Sequence, residues 1–74
     1  MPPVPVLSGK AVVKAFEKAG WVMVRQKGSH RVLVKDGLNA TLSVPDHKEV
    51  AKGTLRSLIR AAGMTVEEFT RLVQ

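Results

Sequence analysis

The sequence predicts a small α+β domain: a helix, a three-stranded antiparallel meander and two further helices, with the helices gathered on one face of the sheet. Three observations lead there. Apolar residues recur at helical spacing in two separate stretches, at Val12, Val13, Phe16 and Ala19 and again at Leu55, Leu58, Ile59 and Ala62. Between them lies a segment rich in β-formers, interrupted by Gly28-Ser29 and Asp36-Gly37. The chain is only 74 residues long, which leaves room for one domain and one sheet.

Each element has its own local cause. Pro2, Pro3 and Pro5 remove amide donors and fix φ, so residues 1–7 read as an extended lead-in to a single domain over 8–74. Ser8 is a suitable N-cap for a first helix over 9–19, which Gly20 stops. Strand 1 is expected over 21–27. Gly28-Ser29 suits a type II′ turn, which wants glycine first. Strand 2 follows over 30–35, and strand 3 over 39–44, ending at Pro45. Helix 2 is expected over 52–62 with Gly63 as its stop. Thr65-Val66-Glu67-Glu68 is a capping-box pattern that opens a short third helix through Phe69, Leu72 and Val73.

Pairing across the turn sets Lys27 opposite His30, Arg25 opposite Val32 and Met23 opposite Val34. Trp21, Met23, Val32 and Val34 then form the core side, with Arg25, Lys27 and His30 at the tip of that same face. A three-residue loop (Asp36, Gly37, Leu38) adds Ala40, Leu42 and Val44 to it, whereas a two-residue loop flips strand 3. Val22, Val24 and Leu33 are left on the opposite face, which is either a partner surface or a sign that the strands pair in another register.

Composition narrows the function. Hydrophobic residues are 45% and charged residues 24%, an ordinary globular balance. With no cysteine, a disulfide scaffold, a Cys-based zinc site and a thiol nucleophile are excluded. Three aromatics imply an aliphatic core with little space for a deep ligand pocket. No apolar run has the length of a membrane span, and no signal-peptide pattern opens the chain, so a cytoplasmic location is expected.

Net charge is +6 and unevenly placed: the first 35 residues hold seven cations against Glu17 alone, and the rest hold five of each sign. Concentrated positive charge attracts phosphate backbones through counterion release. Nucleic acid is therefore the first partner class to weigh, against a merely solvated basic face.

The inventory of reactive groups is short. There is no GxSxG elbow, HExxH, P-loop or calcium loop, and the six carboxylates form no spaced pair. His30 follows the tight turn in Arg25-Gln26-Lys27-Gly28-Ser29-His30. An imidazole can act as general base or acid near neutral pH, and Arg25 and Lys27 could hold a phosphate and stabilise the charge of a phosphorane. RNA brings its own nucleophile, the 2′-OH, so one base plus cations is a sufficient site. The competing reading is an exposed hairpin histidine without a role. His47, in Pro45-Asp46-His47-Lys48, could be a second acid/base, a phosphate ligand, or a loop histidine held by Asp46. A His30–His47 metal site has too few ligands in view. Lys48 and Lys52 flank the start of helix 2, where free amides favour phosphate, or they are ordinary solvated lysines.

With these residues assembled, the chain resembles the HicA toxin family, the mRNA interferases of HicAB toxin–antitoxin pairs. Three strings carry the resemblance: Ser8-Gly9-Lys10 leading to Lys18-Ala19-Gly20-Trp21; Arg25-Gln26-Lys27-Gly28-Ser29-His30; and Val44-Pro45-Asp46-His47-Lys48-Glu49 running into Lys52-Gly53-Thr54-Leu55-Arg56-Ser57-Leu58-Ile59, closed by Ala62-Gly63. The resemblance implies a double-stranded-RNA-binding-domain-like fold, α-β-β-β-α with a short extra C-terminal helix. It also implies mRNA cleavage, a catalytic histidine at His30, and a HicB-like antitoxin that masks the site, in complexes of higher order where several pairs assemble. No cofactor is expected. Lys10, Arg25, Lys27, Ser29, His47, Lys48 and Lys52 are the candidate RNA- and phosphate-binding residues. The leaving-group acid stays open among His47, Lys27 and water. Two other readings remain: a non-catalytic RNA-binding module, and a subunit whose main task is docking an antitoxin that controls transcription.

Overall fold

The computed structural model describes residues 4–73. It contains, in order, α1 (Gly9–Lys18), β1 (Val22–Lys27), β2 (His30–Val34), β3 (Thr41–Pro45), α2 (Lys52–Ala61) and α3 (Val66–Val73). The sheet is antiparallel in the order β1-β2-β3, with α1 and α2 against it and α3 against α1. The principal extents, 31 × 28 × 19 Å, are those of one sheet with one layer of helices. This is the expected α+β architecture, consistent with a double-stranded-RNA-binding-domain-like fold. No helix among the described residues is long and apolar enough to cross a membrane.

The local signals act as their chemistry dictates. The Ser8 hydroxyl accepts a hydrogen bond from the Ala11 amide (3.2 Å). Thr65 and Glu68 close the capping box from both sides: the Thr65 amide donates to Glu68 Oε1 at 2.9 Å and the Glu68 amide to Thr65 Oγ1 at 3.1 Å. At the first hairpin only Gly28 has positive φ (59°), the signature of a II′ turn. The core is aliphatic around three rings. Phe16 stands edge-on to Trp21 (centroids 6.3 Å) and tilted against Phe69 (5.0 Å). Residues 1–3 of the expected lead-in lie outside the described residues; Val4 is buried in the core, and Leu7 packs against it.

Two expectations about the sheet are corrected. Lys27 does pair with His30 and Arg25 with Val32, but Met23 pairs with Leu33, not Val34, because Val24 forms a bulge. The connection to β3 spans residues 35–40, so Leu33 lies opposite Leu42 and Arg31 opposite Val44. The core face is consequently the one carrying Leu33, Leu42 and Val44, all essentially inaccessible. Val32 and Val34 face the other way, and Met23 is 41% exposed at the edge. Arg25, Lys27 and His30 thus share a face as expected, but it is the face the helices leave open.

Candidate nucleic-acid interface and active site

The β1–β2 hairpin presents His30 at the first position of β2, directly across from Lys27. Opposed residues of antiparallel strands hold their side chains on one face. Arg25, two residues up the strand, points the same way and pairs with Val32. All of Arg25, Lys27, Ser29 and His30 are exposed. One imidazole and two cations therefore line the open sheet at the tip of the hairpin, and Ser29 lies in the turn itself.

The third strand ties this tip to the loop before α2. His30 pairs with Pro45, and the Asp46 amide donates to the Ser29 carbonyl at 2.6 Å. Asp46 also pairs through its carboxylate with Arg31 (3.5 Å), on the helix side of the sheet. Asp46 is thus engaged by Arg31. Among the described residues Arg31 Nε is buried without a partner. Beyond Asp46, the His47 carbonyl accepts from the Gly9 amide at 2.9 Å, and the Val50 amide donates to Leu7 (2.8 Å). The loop is laced to the start of α1.

That lacing needs glycine at position 9. A Cβ there would collide with the Pro45 carbonyl oxygen and stand 3.1 Å from Asp46 Cα. The close approach forms a shallow pocket of about 240 Å³, lined by Ser8, Lys10, Asp46, His47 and Lys48. Three of the anticipated binding residues (Lys10, His47 and Lys48) converge on it. It shares Asp46 with the His30 tip, so the two basic clusters are contiguous through the 45–46 backbone. Lys52 lies apart, exposed on the first turn of α2.

Ser8, a cap by its local sequence, also lines this pocket, and Arg31 frames the site through Asp46. The Ser-Gly-Lys string before a loop histidine was the available signal, but nothing local to either segment says that they touch.

A family model described as the HicA toxin of bacterial toxin-antitoxin matches residues 9–64. The chain belongs to the HicA toxin family. A comparison with curated proteins finds no match. As a member of the HicA family, the chain is the toxin of a toxin–antitoxin pair. The matched span contains the hairpin, the 45–48 loop and the whole sheet, and it ends before α3. In this member of the family, α3 closes the core by seating Phe69 on Phe16.

Proposed function

We propose that this HicA-family toxin is an mRNA interferase that cleaves RNA without a metal ion, with His30 as general base. The observation that carries the reading is the register of the hairpin: His30 opposite Lys27, with Arg25 on the same uncovered face. In the reaction, His30 takes the proton of a ribose 2′-OH. The 2′-oxygen forms a bond to the adjacent phosphorus, and the bond from phosphorus to the 5′-oxygen breaks. The products are a 2′,3′-cyclic phosphate and a 5′-hydroxyl, the 5′-oxygen collecting a proton as it leaves. Lys27 and Arg25 stabilise the charge that accumulates on the phosphorane oxygens. The side chains that the hairpin register puts on this face are one imidazole and two cations.

Lys10, His47 and Lys48 hold a neighbouring stretch of backbone, with Ser29 and Lys52 as further phosphate contacts. The fold class recognises RNA largely by shape and phosphate. The antitoxin partner is HicB-like and acts by covering the His30 face, and toxin and antitoxin work in the cytoplasm.

Incubation of the purified chain with a long unstructured RNA in excess EDTA, beside His30→Ala, tests the assignment. Cleavage by the wild type alone, leaving 5′-OH ends, is expected, with RNA affinity retained in the variant. Equal cleavage by both would remove His30 from the role, and 5′-phosphate ends would overturn the 2′-OH mechanism.

A further inference from the structure

The outer edge of β1 is chemically unlike the rest of the surface. All six residues of the strand are exposed, and β1 ends the sheet, so among the described residues its outward amides and carbonyls meet no other strand. Its first half is apolar: Val22, Met23 and Val24 are 58%, 41% and 54% exposed in succession. Its second half is cationic through Arg25 and Lys27. From Lys18 to Lys35 the chain holds five cations and no carboxylate.

RNA accounts for the second half but not the first, because phosphates gain nothing from valine and methionine side chains. Edge strands in isolated domains are commonly blunted by charge, proline or a bulge. Here the bulge is at Val24 and the charge lies beyond it, which leaves the Val22–Met23 end unprotected. Such an edge suits addition of a strand from another protein, with main-chain hydrogen bonds giving affinity and side chains giving specificity.

We propose that β1 is a docking edge for an extended, acidic and apolar segment of the antitoxin. The segment adds a fourth strand beside β1, with apolar side chains over Val22 and Val24 and carboxylates toward Arg25 and Lys27. Charge complementarity selects this occupant. A second copy of the chain would bring together two molecules of net charge +6 along strands that carry no carboxylate. Because Arg25, Lys27 and His30 share the adjoining face, the added strand also covers the cations that would meet a phosphate. The docking edge follows from toxin–antitoxin membership and the exposed strand; only this masking consequence rests on the nuclease reading above.

The test uses the full chain, free and co-expressed with its cognate antitoxin. Amide hydrogen exchange of β1 is compared between the two states. Protection of 22–27 in the complex is expected, strongest at Gln26, whose amide alternation turns outward from a Lys27–His30 hydrogen-bonded pair. Gln26→Pro, which removes that outward donor, and the double variant Val22→Lys with Val24→Lys are each expected to weaken the complex by about tenfold or more. Circular dichroism and RNA cleavage of the free variants serve as the control for folding. β1 amides left unprotected in a stable complex, or both variants binding as tightly as wild type, would overturn the proposal while leaving nuclease activity intact. Protection of 22–24 by RNA alone would likewise overturn it. A chain that pairs through β1 yet cleaves no RNA would sustain this inference and refute the nuclease reading.

Discussion

Gly9 and Gly53 offer one substitution with two opposite outcomes. Both lie in the first turn of a ten-residue helix. Alanine in place of a helical glycine normally stabilises by up to about 0.5–1 kcal/mol, chiefly by lowering the entropy of the unfolded chain. At Gly53 nothing among the described residues lies within 4 Å of a new Cβ. Gly53→Ala should realise that gain, raising Tm by roughly 2–8 °C at about 4–8 °C per kcal/mol for a domain of this size. At Gly9 the atoms in the way are the Pro45 carbonyl, whose carbon stands 3.2 Å from the new methyl, and Asp46 Cα at 3.1 Å. These are backbone atoms, so no side chain can swing aside. Overpacking of this kind costs about 1–3 kcal/mol. Set against the helical gain, Gly9→Ala should lose about 1–2 kcal/mol and roughly 5–15 °C in Tm. The same shift opens the Gly9–His47 hydrogen bond, so RNA affinity should fall at temperatures where the variant remains folded. Thermal melts by circular dichroism and RNA binding at low temperature check both. A Tm that rises equally in the two variants would refute the close packing of α1 on the 45–46 backbone.

Other consequences are open to direct measurement. Phe69→Ala should cost about 3–5 kcal/mol, a large share of the ~4–11 kcal/mol expected for 74 residues. Its denaturant midpoint should therefore fall steeply, and an unchanged midpoint would show that α3 is dispensable. Thr65→Ala removes one half of the capping box and should cost about 0.5–2 kcal/mol in urea melts. Arg25→Ala and Lys27→Ala should each flatten the dependence of log affinity on log salt for single-stranded RNA by about 0.7. Lys14→Ala, on the helix side, should leave that slope alone.

The elements that local chemistry defines were legible in the sequence. Ser8, Gly28 and the Thr65–Glu68 pair each fix their structure through contacts a few residues away, and the order of helices and strands follows from them. The faces of the sheet were not. Val32, Leu33 and Val34 are apolar in succession, and so are Val22, Met23 and Val24. Alternation carries no information where both faces offer hydrocarbon. The bulge at Val24 then shifts the pairing by one position without any mark in composition. The candidate site divides the same way. His30, Lys27 and Arg25 were linked through a two-residue turn that sequence specifies well. The meeting of Lys10 with His47 and Lys48 depends on a tertiary contact at Gly9, which nothing along the chain announces.

The 45–48 segment also sets the order in which the pocket can come into being. Its walls are supplied by Ser8 and Lys10 at one end of the chain and by Asp46, His47 and Lys48 well past its middle. A chain growing from its N-terminus carries the hairpin with His30 long before it carries the opposite wall. The aromatic contact from Phe69 that completes the core arrives last. Any product of interrupted synthesis that stops before residue 45 lacks Asp46, His47 and Lys48 of this pocket and the β3 ladder partner of His30. The complete pocket is thus a property of a chain that has passed residue 48 and laid its 45–48 segment against the start of α1.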